Sequence, residues 1–247
     1  MLAIIGGSSL DCLAALEVEQ RVEIETPYGV PSGPLVCGRL HGHRVIFLAR
    51  HGENHRLPPH RINYRANLWA LHAQQATRIV AVATVGGISA DFQPGALAVP
   101  DQIIDYTWGR ASTFFEGEDG VVKHIDFTQP YDATLRTGML RAAQRAGEAV
   151  HAGGVYAATQ GPRLESAAEI CRLVRDGAHM VGMTGMPEAV LARELDLPYA
   201  TLALVVNAAA GTGASVQAID LSAAEALART AMMRVVRILM ELAADGD

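Results

Sequence analysis

Residues 78–85, RIVAVATV, and 199–206, YATLALVV, are almost unbroken apolar runs rich in β-branched side chains. A strand with one wet face alternates apolar and polar residues. A run without that alternation belongs where both faces of a sheet are covered, as in a mainly parallel sheet between helical layers. Shorter strand-like runs occur at 2–5, 35–40, 45–49, 96–104 and 153–159, with helical patterns from about residue 63 and at 134–149, 166–179 and 221–242. This order predicts an α/β fold: a single domain over residues 1–247 with a central mixed, largely parallel twisted sheet flanked by helices. The last helix is amphipathic, and its Met232, Met233 and Met240 read as packing residues.

Composition narrows the function classes. Half of the 247 residues are apolar and mean hydropathy is +0.17, enough for one substantial core. A net charge of -6 argues against nucleic-acid and anionic-membrane partners. Cys12, Cys37 and Cys171 lie far apart without a CxxC pair, so neither a disulfide framework nor a zinc site is expected. The opening MLAIIGGSSLD lacks the basic start and long apolar centre of a secretion signal, and no stretch has the length to span a bilayer. The expected location is cytoplasmic.

Polar and glycine-rich signatures recur where the strands end, which is where an open α/β sheet places its ligands. The first strand runs into Gly6-Gly7-Ser8-Ser9, two glycines that permit close backbone approach and two hydroxyls. The run at 45–49 ends in Arg50-His51-Gly52, and arginine is the side chain best shaped to grip phosphate through two parallel hydrogen bonds. Residues 84–87, TVGG, leave the run at 78–85, and 160–165, QGPRLE, leave a later one. Residues 181–188, VGMTGMPE, read as a short extended piece entering a helix, whose unpaired N–H groups and positive potential suit an anion beside Thr184. Glu188 reads as a cap of that helix or a partner for a ligand hydroxyl. Residues 107–130 read as a long excursion of the functional or interface kind.

In order and wording, GGSSL, ARHGENH, ATVGG, TQGPR and GMTGMPEA resemble the trimeric purine nucleoside phosphorylase and methylthioadenosine phosphorylase family. The RHG, NYRAN, QGPR and GMTxxPE motifs are specific in combination, and the resemblance covers essentially the full chain. It implies phosphorolysis of a purine nucleoside by inorganic phosphate, without metal or organic cofactor, in a homotrimer. Carried over by position, it puts phosphate against Ser8, Arg50, His51, the backbone at Ala83, Thr84 and Thr184. Met183 would lie under the ribose. Leu164, Glu165, Asn207, Ala208 and Ala209 would surround the base, with Asn207 and Thr184 as the catalytic pair. His124 would approach the site of a neighbouring subunit.

The departures from that family carry the substrate expectation. Leu164 stands where Phe commonly covers the base, and Glu165 where the methylthioadenosine enzymes commonly have Ser. Enzymes for 6-aminopurines place an acid at position 207 and another at 209; this chain has Asn207 and Ala209. An amide can donate to a carbonyl O6 and accept from N7–H, whereas a carboxylate only accepts. Ile219, with Ala218 and Val216, replaces a His able to bind a 5'-hydroxyl. The implied substrate is a 6-oxopurine 5'-methylthionucleoside. The rivals are a phosphorylase for inosine and guanosine, one for methylthioadenosine, a nucleosidase that uses water, and a non-catalytic nucleotide-binding module built on GGSSLD.

Overall fold

The computed structural model describes every residue except Ser8, Ser9, Asp11, Cys12, 118–120 and Asp247. The phosphate contact expected of Ser8 therefore lies outside the described residues. The chain opens with β1 (Leu2–Gly6), β2 (Leu16–Val22), β3 (Leu35–Leu40) and β4 (His43–Ala49). Helix α1 (Tyr64–Ala73) leads to β5 (Arg78–Gly87), β6 (Leu97–Val99) and β7 (Gln102–Asp105). Then follow α2 (Ala133–Arg145), β8 (Val150–Ala152), β9 (Val155–Ala158), α3 (Ala167–Arg175) and β10 (Met180–Gly182). The chain closes with α4 (Gly185–Glu194), β11 (Tyr199–Ala208) and α5 (Leu221–Ala243).

The described strands join in one mixed sheet with β5 as its hub. β5 pairs parallel with β1 at its start and with β11 along nearly its whole length, and antiparallel with β10 at its end. β1–β4, β9–β10, β7–β9 and β6–β8 are also parallel, while β2–β3, β3–β4 and β6–β11 are antiparallel. Both faces of β5 are covered, which is why its apolar run does not alternate. On one side Leu68 and Leu71 of α1 and Leu191 of α4 pack against Ile79 and Ala81; on the other, Met139 of α2 and Val235 and Leu239 of α5 pack against Val80 and Val82.

Helix starts are set by side-chain caps: Asn63 accepts from the Ala66 N–H, Asp132 from Leu135, and Asp220 from Ala223. Ser166 and Glu169 form a reciprocal capping box at α3. Two expectations need correction, and one strand was not anticipated. The run at 96–104 is two strands, because Pro100 has no N–H to continue a ladder and Asp101 turns away to accept from the Gly154 N–H at 3.0 Å. β2, LEVEQRV, carries only a weak apolar signal because it is an edge strand with five consecutive exposed residues between Leu16 and Val22. Met233 is 60% exposed and lies outside the core, whereas Met232 is buried.

Candidate active site

The parallel register of β4, β1 and β5 brings three strand ends to one place. Gly6 pairs with Ala49, and the Arg50 N–H donates to the Gly6 carbonyl at 2.9 Å. Arg50 then turns inward and reaches 1% exposure. Gly7 is required here: a Cβ would lie 2.6 Å from the Val82 carbonyl oxygen and 2.9 Å from Arg50 Nη1. β10 runs antiparallel to β5 with Val181 opposite Gly86, and continuing that register carries residues 183–184 alongside residues 83–84. β11 slips register between Val205 and Asn207, and this bulge turns both Val206 and Asn207 into the same space.

That space is a cavity of about 630 Å³. Arg50, His51, Ala83, Thr84 and Thr184 line it. Met183, Glu165, Leu164, Asn207, Ala209 and Ile219 line the same space. The structure thus brings together every described residue expected at the site except Ala208, which is buried in β11 and does not line the cavity. Val216 does not contribute to the apolar wall either: it is 65% exposed, and Ala218 is also exposed and away from the lining. The wall is completed instead by Leu221, Ala224 and Ala228 of α5. Their spacing puts them on one helix face, a signal that is legible once the helix is known to meet the site. His124 is exposed and does not line this chain's cavity.

Arg50 does not present its full fork to the cavity, as a simple phosphate grip would require. Nε and Nη2 donate to Glu188 Oε1 and Oε2 at 2.7 and 3.0 Å, and Nη1 donates to the Val82 carbonyl at 2.9 Å. Glu188 is fully buried and also accepts from the Tyr199 hydroxyl at 2.8 Å. It is therefore neither a helix cap nor a ligand partner; it is Arg50's counter-ion. Burial alone would lower the Arg50 pKa, but the Glu188 charge and hydrogen bonds raise it above the ordinary arginine value, so the guanidinium stays charged. One N–H on Nη1 and one on Nη2 remain for a ligand.

The expected helix N-terminus at Thr184 is also modified. Met186, with φ -119° and ψ 139°, breaks the first turn of α4, so the N–H groups of 185–188 do not point along one axis. Thr184 is 7% exposed and its hydroxyl makes no cap bond, so the hydroxyl rather than a helix dipole is what the site offers. His51 Nδ1 lies 2.8 Å from the Leu57 carbonyl oxygen. Burial and the Arg50 charge push its pKa down to about 3. The unfolded chain binds that proton near 6.5 and the folded chain only near 3, so stability contributed by the neutral ring is lost as pH falls through that interval.

At the base end, the Asn207 amide donates one Nδ2 hydrogen to the Ala208 carbonyl at 2.7 Å, which leaves the second hydrogen and Oδ1 for a ligand. Glu165 accepts from the Thr159 hydroxyl at 2.6 Å. A residue the sequence did not single out holds this end in place. Arg110, in the irregular stretch after β7, donates to the carbonyls of Met183 and Met186 at 2.8 and 2.6 Å and to that of Gln160 at 2.8 Å. It ties both ligand-facing segments to one planar group. Arg110→Ala is expected to raise the nucleoside KM about tenfold while phosphate KM changes little, since it frees 183–186 and 160–165; steady-state kinetics with each substrate varied would check this.

Residues 1–241 match the family model described as the Phosphorylase superfamily, and the chain belongs to that family. Among relatives, a protein of Xanthomonas campestris pv. campestris named probable S-methyl-5'-thioinosine phosphorylase is 58% identical, over 86% of this chain and 85% of that protein. A 6-oxopurine nucleoside phosphorylase of Pyrococcus furiosus is 44% identical, over 85% of this chain and 80% of its own length. Among solved structures, methylthioadenosine phosphorylase from Schistosoma mansoni in complex with adenine superposes with a TM-score of 0.93 at 31% identity, covering 98% of this chain and 90% of that one. A methylthioadenosine phosphorylase from an antarctic soil metagenomic library gives 0.91 at 38%, covering 98% and 85%. No described helix is long and apolar enough to cross a membrane.

Proposed function

We propose that the chain cleaves the N-glycosidic bond of a 6-oxopurine 5'-methylthionucleoside with inorganic phosphate. With S-methyl-5'-thioinosine the products are hypoxanthine and 5-methylthioribose 1-phosphate. One observation carries this reading: a single cavity is lined both by oxyanion-binding groups (Arg50, His51, Thr84, Thr184) and by an anchored amide (Asn207) with apolar side chains (Ile219, Leu221, Ala224, Ala228). The relatives' names point the same way.

Phosphate oxygen is a weak nucleophile, so rate comes from holding it beneath C1' and from stabilising charge as the bond breaks. A bond forms from a phosphate oxygen to C1' as the bond from C1' to the purine nitrogen breaks with its electron pair. The proton that hydrogen phosphate brought is recovered as an N–H on the purine. The bound anion stabilises the cationic sugar, and Asn207 can stabilise electrons gathering on the departing ring. The chemistry calls for no metal or organic cofactor. A 6-aminopurine would need an acceptor opposite its amino group, and Ala209 supplies none. The reading includes a cytoplasmic homotrimer in which the stretch around His124 closes a neighbour's cavity.

The test is product analysis with methylthioinosine, methylthioadenosine and inosine, each with and without phosphate. Cleavage of methylthioinosine first, and only with phosphate, is the expected result; phosphate-independent cleavage would make it a nucleosidase. Ile219→His is expected to raise kcat/KM for inosine relative to methylthioinosine by about tenfold, because a buried hydroxyl gains a partner. An unchanged ratio would remove Ile219 from the 5' pocket.

A further inference from the structure

Glu165 borders two spaces at once. Pro162 and Leu164 line the reaction cavity, Gly161 and Arg163 line a second cavity of about 490 Å³, and Glu165 alone of the described residues lines both. Its carboxylate therefore has two ways to turn. Arg163, which lines only the second cavity, attracts it there. One hydroxyl opposes that pull. Thr159 Oγ1 lies 2.6 Å from Glu165 Oε1 and 3.3 Å from the Gly182 carbonyl, so its single hydrogen goes to the carboxylate. Thr159 is itself anchored: its N–H donates to the Gly182 carbonyl at 2.8 Å, and its own carbonyl accepts from Arg110 at 3.3 Å. In the conformation this bond fixes, Glu165 faces the reaction cavity. No other hydrogen bond or ion pair to Glu165 occurs among the described residues, so Oε2 is left for a ligand.

We propose that Thr159 is a positioning residue for base selection: it holds Glu165 Oε1 so that Oε2 stays in the reaction cavity and accepts from the N1–H of a 6-oxopurine. The inference rests on the 6-oxopurine reading and deepens it. With Asn207 on N7 and O6, the next group along the purine's edge is position 1. A 6-oxopurine carries a hydrogen there, whereas a 6-aminopurine presents a bare lone pair, and a carboxylate can only accept. Selection is then shared: Asn207 reads position 6 and Glu165 reads position 1. An ionised carboxylate has no donor to turn toward a bare N1, so its discrimination depends only on where it is held. Without the Thr159 hydroxyl it is free to turn to Arg163, and the hydrogen at N1 loses its partner.

The experiment measures binding of hypoxanthine and adenine to the full chain by calorimetry at near-neutral pH, alongside the KM of the nucleoside and of phosphate. Thr159→Val keeps the shape and removes the hydroxyl. Hypoxanthine is then expected to bind about tenfold more weakly and nucleoside KM to rise with it, while adenine affinity and phosphate KM change by about twofold or less. Thr159→Ser keeps the hydroxyl and should stay within about threefold of the parent. In a Glu165→Ala background there is no carboxylate to hold, so adding Thr159→Val should weaken hypoxanthine by less than about twofold. A merely structural role would weaken both purines and persist without Glu165. A Thr159→Val chain that binds hypoxanthine like the parent overturns the proposal, as does the full loss in the Glu165→Ala background or a serine that behaves like valine. Where the parent still prefers hypoxanthine, any of these results sinks the proposal alone. A parent that binds adenine as tightly as hypoxanthine sinks the 6-oxopurine reading, and the proposal with it.

Discussion

Glu188→Ala is expected to unfold on the order of 10 °C below the parent chain. The substitution leaves the Arg50 guanidinium, 1% exposed, without its counter-ion. Breaking one side of a buried pair costs about 3–5 kcal/mol, because the remaining charge is neither hydrated nor matched. In a chain of this length each kcal/mol corresponds to roughly 2–4 °C. The Tyr199 hydroxyl loses its acceptor at the same time. Glu188→Gln keeps the volume but turns one acceptor into a donor facing Arg50 Nε or Nη2, so its loss should be intermediate. The double replacement Arg50→Met with Glu188→Leu should recover most of the stability, since apolar pairs of similar volume replace buried ion pairs at little cost. It should not recover phosphate use. Thermal unfolding followed by circular dichroism, together with phosphate KM, separates the two effects. A midpoint for Glu188→Ala within about 2 °C of the parent would show that water already reaches the pair.

This pair also marks where sequence reading stopped. The buried strands were legible because continuous apolar runs have one explanation, and the helices because their apolar residues recur at helical spacing; the caps at Asn63, Asp132, Ser166 with Glu169, and Asp220 fix where they start. The cavity residues were legible as strand ends, since in such a sheet those ends share an edge. Glu188 looked like a residue of a helix's first turn, as it is; that its carboxylate reaches a guanidinium 138 positions away is a property of packing with no local trace. Arg110 was hidden for the same reason: its acceptors are backbone carbonyls, which every residue has. β2 went unread because an exposed edge strand has no face to bury, and Ile219's partners in α5 because small alanines near a helix start look like ordinary surface.

Asn207→Asp is expected to lower kcat/KM for the 6-oxopurine substrate at least tenfold and to reverse the preference toward the 6-amino analogue. The parent amide is held by its own chain: Nδ2 donates to the Ala208 carbonyl, which fixes where the other Nδ2 hydrogen and Oδ1 point. A carboxylate in that pose would set an oxygen 2.7 Å from another oxygen. It must either rotate away from Ala208 or take up a proton, and both remove the donor that a carbonyl O6 needs. Losing one such hydrogen bond in a partly buried site costs about 1–3 kcal/mol, which corresponds to a factor of ten or more. A 6-amino group gains where the carbonyl loses, because the rotated carboxylate can accept from it. Asn207→Ala separates the alternatives: it should depress both substrates without reversing their order, since it removes the partner and adds no repulsion. The ratio of kcat/KM for methylthioinosine to that for methylthioadenosine across the three chains is the measurement. An Asp variant with the parent's ratio would place the purine elsewhere in the cavity, against Glu165 rather than Asn207.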